Sequence, residues 1–238
     1  MMDGVFQKDY IVDSRMVDIH SRVMPSQLFF LLQDVALSHC RAIDLGRDKT
    51  TDKGFLWVVT QQTVHVDRMP SDEEQVTVLT WPGPSRHMFM PRYTEILDNS
   101  GKTVVSASAC WMLMDAATRK AVYAKEAGIT LPEVTTGRET PFLNRLMSLP
   151  LTEEFTFTVP YSYCDLNGHM NNSKYFDLAC DHAPEAADGK QATLLQAEYK
   201  SEVHLGESLL VKYGADNGAY YFTGAVGERD CFRLCIRF

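Results

Sequence analysis

Apolar residues follow two different spacings along the chain. From Ser26, a candidate N-cap, they recur about every 3.6 residues as far as Ile43, before Gly46. This spacing predicts a helix whose apolar face is too broad to be exposed to water. The segments that follow are rich in Val, Thr, Trp, Tyr and Met and are separated by turn residues, which predicts antiparallel strands at 55–67, 75–81, 88–98 and 103–114. A mostly apolar helix followed by such strands favours a sheet that wraps around the helix.

The same order of elements returns in the second part of the chain. Residues 131–152 show no sustained period and contain three prolines and a glycine, which predicts a linker. After this segment the pattern predicts a strand at 154–161 and a shorter helix at 173–181. Four more strands are predicted at 192–204, 207–214, 219–227 and 230–237. We therefore predict an internal repeat of two units, 1–130 and 153–238, joined by the linker 131–152.

Two landmarks align the predicted repeat. Placing Asp165 on Asp18 also brings Phe176 of the second unit onto Phe29 of the first. Further along, the segment that begins at His204 aligns with the segment that begins at Arg68. The second alignment leaves less chain between helix and strand in the second unit than in the first. We therefore predict that the second unit is shorter between its helix and the following strand.

Composition narrows the class of protein. The 238 residues, 45% hydrophobic and 23% charged, fit one large or two small folded domains. The net charge of -8 and the lack of a Lys/Arg-rich block argue against nucleic-acid binding. No apolar stretch reaches the roughly 18 to 20 residues of a membrane span, and the N-terminus lacks a signal-peptide pattern, so we expect a cytoplasmic protein with free cysteines. The cysteine spacing gives only weak support for zinc, and we predict neither a metal ion nor another cofactor.

Residues 161–176 concentrate polar side chains between a predicted strand and a predicted helix. Asp165, Asn167 and His169 alternate, so in an extended turn their side chains can converge on one side. Ordinary turn chemistry also explains this composition, with Gly168 at positive φ. In addition, backbone N–H groups at the start of the following helix can hold a developing oxyanion. The combination suits acyl transfer to water.

The run Asp-Leu-Asn-Gly-His-Met-Asn-Asn-Ser-Lys-Tyr at 165–175 resembles the central signature of the acyl-acyl carrier protein thioesterases of plants and bacteria. Segments 54–60, 66–70 and 108–115 resemble other recurring segments of that family, and the resemblance extends over about residues 5–238. It implies an α+β fold, a tandem double hotdog, in which each unit is an antiparallel sheet wrapped around a central helix.

The resemblance implies a thioester hydrolase that releases a free fatty acid and holo-acyl carrier protein from fatty acyl-acyl carrier protein. The family's catalytic positions fall on Asp165, Asn167, His169 and Glu202. Plant members carry a cysteine after this glutamate, whereas Val203 stands here and excludes a covalent cysteine mechanism at that position. We expect Glu202, or His169 assisted by it, to activate a water molecule as general base. Asn167 and nearby backbone amides would polarise the thioester carbonyl, while Asp165 holds Asn167 or His169 in place.

The implied partner is an acyl carrier protein that bears a fatty acyl chain. Such carriers are acidic, so docking on a chain of net charge -8 requires a local basic patch. Candidates by charge alone are Arg86, Arg92, Arg119, Lys120, Arg138, Arg145, Lys174 and Lys200. By the same resemblance, the first unit supplies most of the acyl pocket and the second unit supplies the catalytic residues. The sequence leaves a further homodimer open.

Two other functions fit the same site. An acyl-CoA thioesterase would recognise a nucleotide instead of a carrier protein. A non-catalytic acyl-binding sensor would bind the acyl group without releasing a thiol, but the four polar residues at the family's catalytic positions favour catalysis. The acyl chain length is not set by any pattern, because one methylene changes discrimination by only about 1 to 3 kcal/mol.

Overall fold

The computed structural model describes residues 4–143, 146 and 151–238. The first unit contains β1 (Phe6–Ile11), α1 (Pro25–Ala42), α2 (Arg47–Thr51), β2 (Phe55–Val66), β3 (Gln75–Pro82), β4 (Phe89–Leu97), β5 (Thr103–Asp115) and β6 (Ala121–Val122). The second unit contains β7 (Glu153–Thr158), α3 (Lys174–Cys180), α4 (Pro184–Ala187), β8 (Leu194–Tyr199), β9 (Ser208–Asp216), β10 (Ala219–Val226) and β11 (Arg229–Arg237). No helix in these described ranges is both long enough and apolar enough to cross a membrane.

All described strands belong to one antiparallel sheet. Its strand order is β1-β3-β4-β5-β2-β8-β11-β10-β9-β7, and β6 pairs with β5. The two halves of the sheet join where β2 pairs with β8, in a register that runs from Gln61 opposite Glu198 to His65 opposite Leu194. Helix α1 packs against β1 and β3, α3 packs against β11, and the two helices contact each other. This arrangement agrees with the predicted double hotdog.

The structure contains short elements that the sequence pattern does not predict, and it corrects one predicted helix cap. The six-residue edge strand β1 and the short helices α2 and α4 were not predicted. The prediction that Ser26 caps α1 is wrong, because the helix begins at Pro25 after Met24, which makes no side-chain capping bond. Proline fits the first helical position because its missing N–H has no partner there anyway. Ser26 is instead buried inside the first turn.

Backbone hydrogen bonds reveal the repeat around the first landmark. Asp18 N–H donates to the Arg22 carbonyl oxygen at 2.7 Å, and Asp165 N–H donates to the His169 carbonyl oxygen at 2.9 Å. In the same turns, Ser21 N–H donates to the Asp18 carbonyl oxygen and Gly168 N–H donates to the Asp165 carbonyl oxygen, both at 3.0 Å. The predicted equivalence of Asp165 and Asp18 is therefore confirmed.

The second landmark is shifted from its predicted place. Glu74 accepts a hydrogen bond from Ser71 N–H through its carboxylate, and Glu207 accepts one from His204 N–H in the same way. His204 is therefore equivalent to Ser71, and its predicted equivalence to Arg68 is wrong. Because Ser71 comes after Arg68, the second unit is shorter in this region than the sequence alignment implied.

The domain boundaries stay a prediction. The pairing of β2 with β8 joins the predicted units 1–130 and 153–238 within one sheet. Part of the predicted linker, residues 144–145 and 147–150, lies outside the described residues.

The two units share one hydrophobic core. Phe29 of α1 and Phe176 of α3 stack with ring centroids 4.2 Å apart and are 2% and 0% exposed. The same cluster of buried residues includes Val64 of β2 and Leu195 of β8, which face each other across the junction. Burial of large apolar side chains is the main contribution to folding, so the units stabilise each other.

A matched pair of substitutions tests this shared core. Phe29→Ala leaves a cavity between the helices and should lower the free energy of unfolding by about 3 to 5 kcal/mol. Phe30→Ala, at the next position of the same helix, removes a side chain that is 58% exposed and should change it by about 0.5 kcal/mol or less. Urea denaturation of the two variants measures the difference, and equal losses would contradict a core that is shared between α1 and α3.

Candidate functional site

The turn before α3 is built by Asp165. Its Oδ1 accepts a hydrogen bond from Asn167 N–H at 2.8 Å, and its Oδ2 accepts one from the Asn167 side-chain amide at 3.3 Å. Gly168 closes the turn at φ 81°, a conformation that favours glycine, and its N–H donates to the Asp165 carbonyl oxygen at 3.0 Å. The Asp165 side chain therefore holds Asn167, whereas its contact with His169 is the backbone hydrogen bond from Asp165 N–H to the His169 carbonyl oxygen.

A second loop brings Glu202 next to this turn. Met170 N–H donates to the Val203 carbonyl oxygen at 2.7 Å, which ties the two segments together. Arg229 of β11 donates to the Glu202 carbonyl oxygen and, through its other nitrogen, to the Glu207 carboxylate at 2.6 and 2.7 Å. No local sequence pattern marks Arg229, because it is a strand residue that contacts a loop 27 positions earlier.

His169 and Glu202 face each other across the site. His169 Nε2 lies 3.4 Å from Glu202 Oε1, and the two side chains are 18% and 31% exposed. The other oxygen, Oε2, forms an ion pair with Arg119, which reaches the site from the turn between β5 and β6 of the first unit. The ring of His204 packs edge-on against that of His169, with centroids 5.3 Å apart. The structure thus brings the two predicted residues together and adds Arg119 and His204 to them.

A cleft of about 630 Å³ connects this site to the first unit. Asp165, Asn167, His169 and Glu202 all line it. Its other wall comes from α1, β2 and β5, and includes Leu37, Trp57, Val59, Trp111, Met112 and Met114. These are the elements that were predicted to form the acyl pocket, and the pocket's role stays a prediction.

The backbone amides at the start of α3 are already used. Ser173 N–H donates to Asn171 Oδ1 at 3.0 Å, and Lys174 N–H donates to the Asn171 carbonyl oxygen at 2.9 Å. The helix itself has only seven residues, so its dipole is short. The amides of Ser173 and Lys174 therefore already have acceptors, while the predicted part that backbone amides and the Asn167 side chain play as oxyanion donors stays a prediction.

Tyr199 links the site to the first unit. Its buried hydroxyl group donates a hydrogen bond to the Asn172 carbonyl oxygen at 3.0 Å, and Gln62 Oε1 of β2 lies 3.2 Å away. Burial raises the pKa of Tyr199 well above its ordinary value, so the hydroxyl group keeps its proton. Sequence reasoning missed this residue, which reads as an ordinary aromatic position of a strand.

Several basic residues that were candidates for carrier docking have other partners. Arg92 is buried under α1, where its guanidinium lies 3.1 Å from His39 Nδ1 and donates to Thr80 Oγ1 at 3.3 Å. Ion pairs join Arg119 to Glu202, Arg138 to Glu95, Lys174 to Asp177 and Lys200 to Asp230. Arg145 lies outside the described residues. A surface role for Arg92 is therefore wrong.

Two domain profiles of one protein family match most of the chain. The profile of the acyl-ACP thioesterase N-terminal domain matches residues 3–128, and that of the C-terminal domain matches residues 150–221. The chain is 28% identical over 85% of its length to a palmitoyl-acyl carrier protein thioesterase of Gossypium hirsutum, and 27% identical over 98% of its length to one of Arabidopsis thaliana. It spans 53% and 62% of the lengths of these two relatives, both described as chloroplastic.

Solved structures agree on the fold. An acyl-ACP thioesterase from Bacteroides thetaiotaomicron superposes with a TM-score of 0.83 at 21% identity, over 99% of this chain and 98% of that one. A 12:0-ACP thioesterase from Umbellularia californica superposes with a TM-score of 0.81 at 19% identity, over 100% of this chain and 98% of that one. The predicted α+β double hotdog is confirmed.

The burial of His39 beside Arg92 makes stability depend on pH. Burial, together with the charge of Arg92, lowers the pKa of His39 from 6.5 to about 4. The unfolded chain takes up this proton near pH 6.5, whereas the folded chain takes it up only near pH 4. Stability should therefore fall as the pH drops from 6.5 to about 4, by up to about 3 kcal/mol.

His39→Gln should remove this contribution. Urea denaturation between pH 4 and pH 7 measures it, and the variant should lose less stability than the wild-type protein as the pH falls. An equal loss in both proteins would show that His39 titrates normally in the folded chain.

Proposed function

The chain belongs to the acyl-acyl carrier protein thioesterase family, and on that premise we propose that it hydrolyses the thioester between a fatty acyl chain and acyl carrier protein. The products are a free fatty acid and holo-acyl carrier protein. One observation carries the proposal: four side chains suited to hydrolysis and an apolar wall from the first unit line the same cleft. The names of the relatives support the substrate class.

The acyl chain fits the part of the cleft that the first unit lines. Leu37, Trp57, Val59 and Met112 provide apolar surface there, between α1 and strands β2 and β5. Each methylene that is buried contributes about 0.8 kcal/mol, so this wall holds the chain by its length rather than by specific polar contacts. The thioester then lies at the other end of the cleft, beside Asn167 and Glu202.

Hydrolysis at this position requires a base and an oxyanion donor. We assign the base to His169 or Glu202, which takes a proton from water while the water oxygen adds to the thioester carbon. The Asn167 amide, held by Asp165, donates a hydrogen bond to the carbonyl oxygen as it becomes negatively charged. The carbon–sulfur bond then breaks, and the departing thiolate of the carrier's arm receives the proton that the base holds.

The route through water agrees with the residue that follows Glu202. Val203 is fully buried, and its carbonyl oxygen is occupied by Met170 N–H. Neither its side chain nor its position offers a nucleophile to the thioester. A covalent cysteine at this position is therefore excluded, which agrees with attack by a water molecule that a general base activates.

Substitutions at the turn test the activity. His169→Ala should lower the rate of thiol release by about 10²- to 10⁴-fold because proton transfer is lost. Asn167→Ala should lower it by about 10²- to 10³-fold because one oxyanion donor is lost. His20→Ala is the matched control, since His20 occupies the repeat position of Asn167 in the first unit. Near-normal rates in folded His169→Ala and Asn167→Ala variants would overturn the assignment.

The substrate is tested by comparing two thioesters of the same acyl chain. We expect faster thiol release from acyl carrier protein than from acyl-CoA. Faster release from acyl-CoA would identify an acyl-CoA thioesterase with the same site. Tight acyl binding without any thiol release would identify a sensor.

A cytoplasmic location and a further homodimer stay predictions, which cell fractionation and light scattering would test.

A further inference from the structure

Arg119 brings a positive charge from the first unit to the catalytic side of the second. It lies on the turn 116–120 between β5 and β6, at φ 57°, and its guanidinium pairs with Glu202 Oε2. The side chain also lines the cleft and is 42% exposed. An ion pair with this exposure adds little to stability, so its contact with Glu202 suggests a role in the site itself.

The turn that carries Arg119 is held firmly. Asp115 Oδ1 accepts hydrogen bonds from Ala117 N–H, Thr118 N–H and the Thr118 hydroxyl group, at 3.1, 2.7 and 2.8 Å. These bonds lower the pKa of Asp115, which keeps the carboxylate charged and the turn closed. Ala116 N–H also donates to the Gly54 carbonyl oxygen at 2.8 Å. Arg119 is therefore presented from a fixed position.

Glu202 is held at both of its ends by arginines. Arg229 contacts its backbone carbonyl oxygen, and Arg119 contacts Oε2 of its carboxylate. The remaining oxygen, Oε1, lies 3.4 Å from His169 Nε2. With one oxygen held by Arg119 and the other turned toward His169, the carboxylate is poorly placed to take a proton from water.

We propose that Arg119 is a positioning residue: it turns Glu202 so that Oε1 accepts a hydrogen bond from His169 Nε2–H and His169 serves as the general base. A neutral imidazole has one donor nitrogen and one acceptor nitrogen, so a proton fixed on Nε2 leaves Nδ1 to accept the proton of water. Hydrogen bonds in free active sites are often long and shorten when substrate binds, which fits the 3.4 Å separation. This inference rests on the proposed function.

Steady-state kinetics on acyl-acyl carrier protein tests the role. Arg119→Ala should lower kcat by up to about 100-fold because the base is misplaced, while KM stays close to the wild-type value. Arg119→Lys should restore part of kcat, since it keeps the charge. Lys125→Ala is the matched control, because it removes an exposed positive charge just after β6 and outside the cleft, and its kcat should be unchanged. A rise in KM at constant kcat would instead make Arg119 a substrate-binding residue and overturn the proposal.

A double-mutant cycle isolates the contact with Glu202. If Arg119 acts through Glu202, then Arg119→Ala should have no further effect on kcat in a Glu202→Gln background. Effects that multiply in the double variant would show that the two residues act independently, and would contradict the proposal.

A measurement without turnover separates this inference from the proposed function. Nitrogen-15 NMR of labelled histidine, at a pH where the ring is neutral, reports which nitrogen of His169 carries the proton. We expect the Nε2–H tautomer in the wild-type protein and a mixture in Arg119→Ala. If no thioester is hydrolysed, the proposed function is wrong, and the tautomers still test Arg119. The same tautomer in both proteins would overturn its positioning role.

Discussion

The pairing of β2 with β8 is the interaction on which the site depends. It joins the two half-sheets over only five residue pairs, from Gln61 to His65 on β2, although β2 begins at Phe55. The earlier part of β2 pairs with β5 on one side and faces the cleft on the other. Because the junction stops at Gln61, the sheet opens there, and the turn that carries His169 lies against the opening.

The two copies of the repeat share the backbone hydrogen bonds of this turn but carry different side chains on it. The turns that begin at Asp18 and Asp165 share the same hydrogen bonds, but Arg22 occupies the place of His169 and lies 3.9 Å from Asp18 as an ion pair. His20 replaces Asn167 and contacts the Ala187 carbonyl oxygen of α4 at 3.1 Å. The first unit therefore uses this turn for contact with its neighbour, and the second unit uses it for the site.

Periodicity predicted most elements because apolar spacing reports directly on burial. It did not predict β1, whose residues are only partly buried. It also placed a helix cap at Ser26, because serine is a common capping residue, but Ser26 is buried inside the helix. The alignment of His204 with Arg68 is wrong because the residues around Glu74 and Glu207 differ in sequence. Only their hydrogen bonds, from Ser71 N–H and from His204 N–H, show that the two glutamates occupy equivalent positions. Asp165, Asn167 and His169 were found because they are local. Glu202 needed the family resemblance, and no sequence pattern indicated the contacts of Arg119, Arg229 and Tyr199.

Because the two units belong to a single chain, the site between them does not depend on the concentration of the protein. A site divided between separate molecules would be lost on dilution, because its halves would dissociate. Here the connection between the units keeps β8 near β2 at an effective concentration that is set by the length and stiffness of the connection and does not change on dilution. Leu146, within that connection, donates its N–H to Glu198 of β8 at 2.8 Å, while Gln61 of β2 donates to the Leu143 carbonyl oxygen at 3.1 Å. The composite cleft should therefore persist in a cell that holds very few copies of the protein.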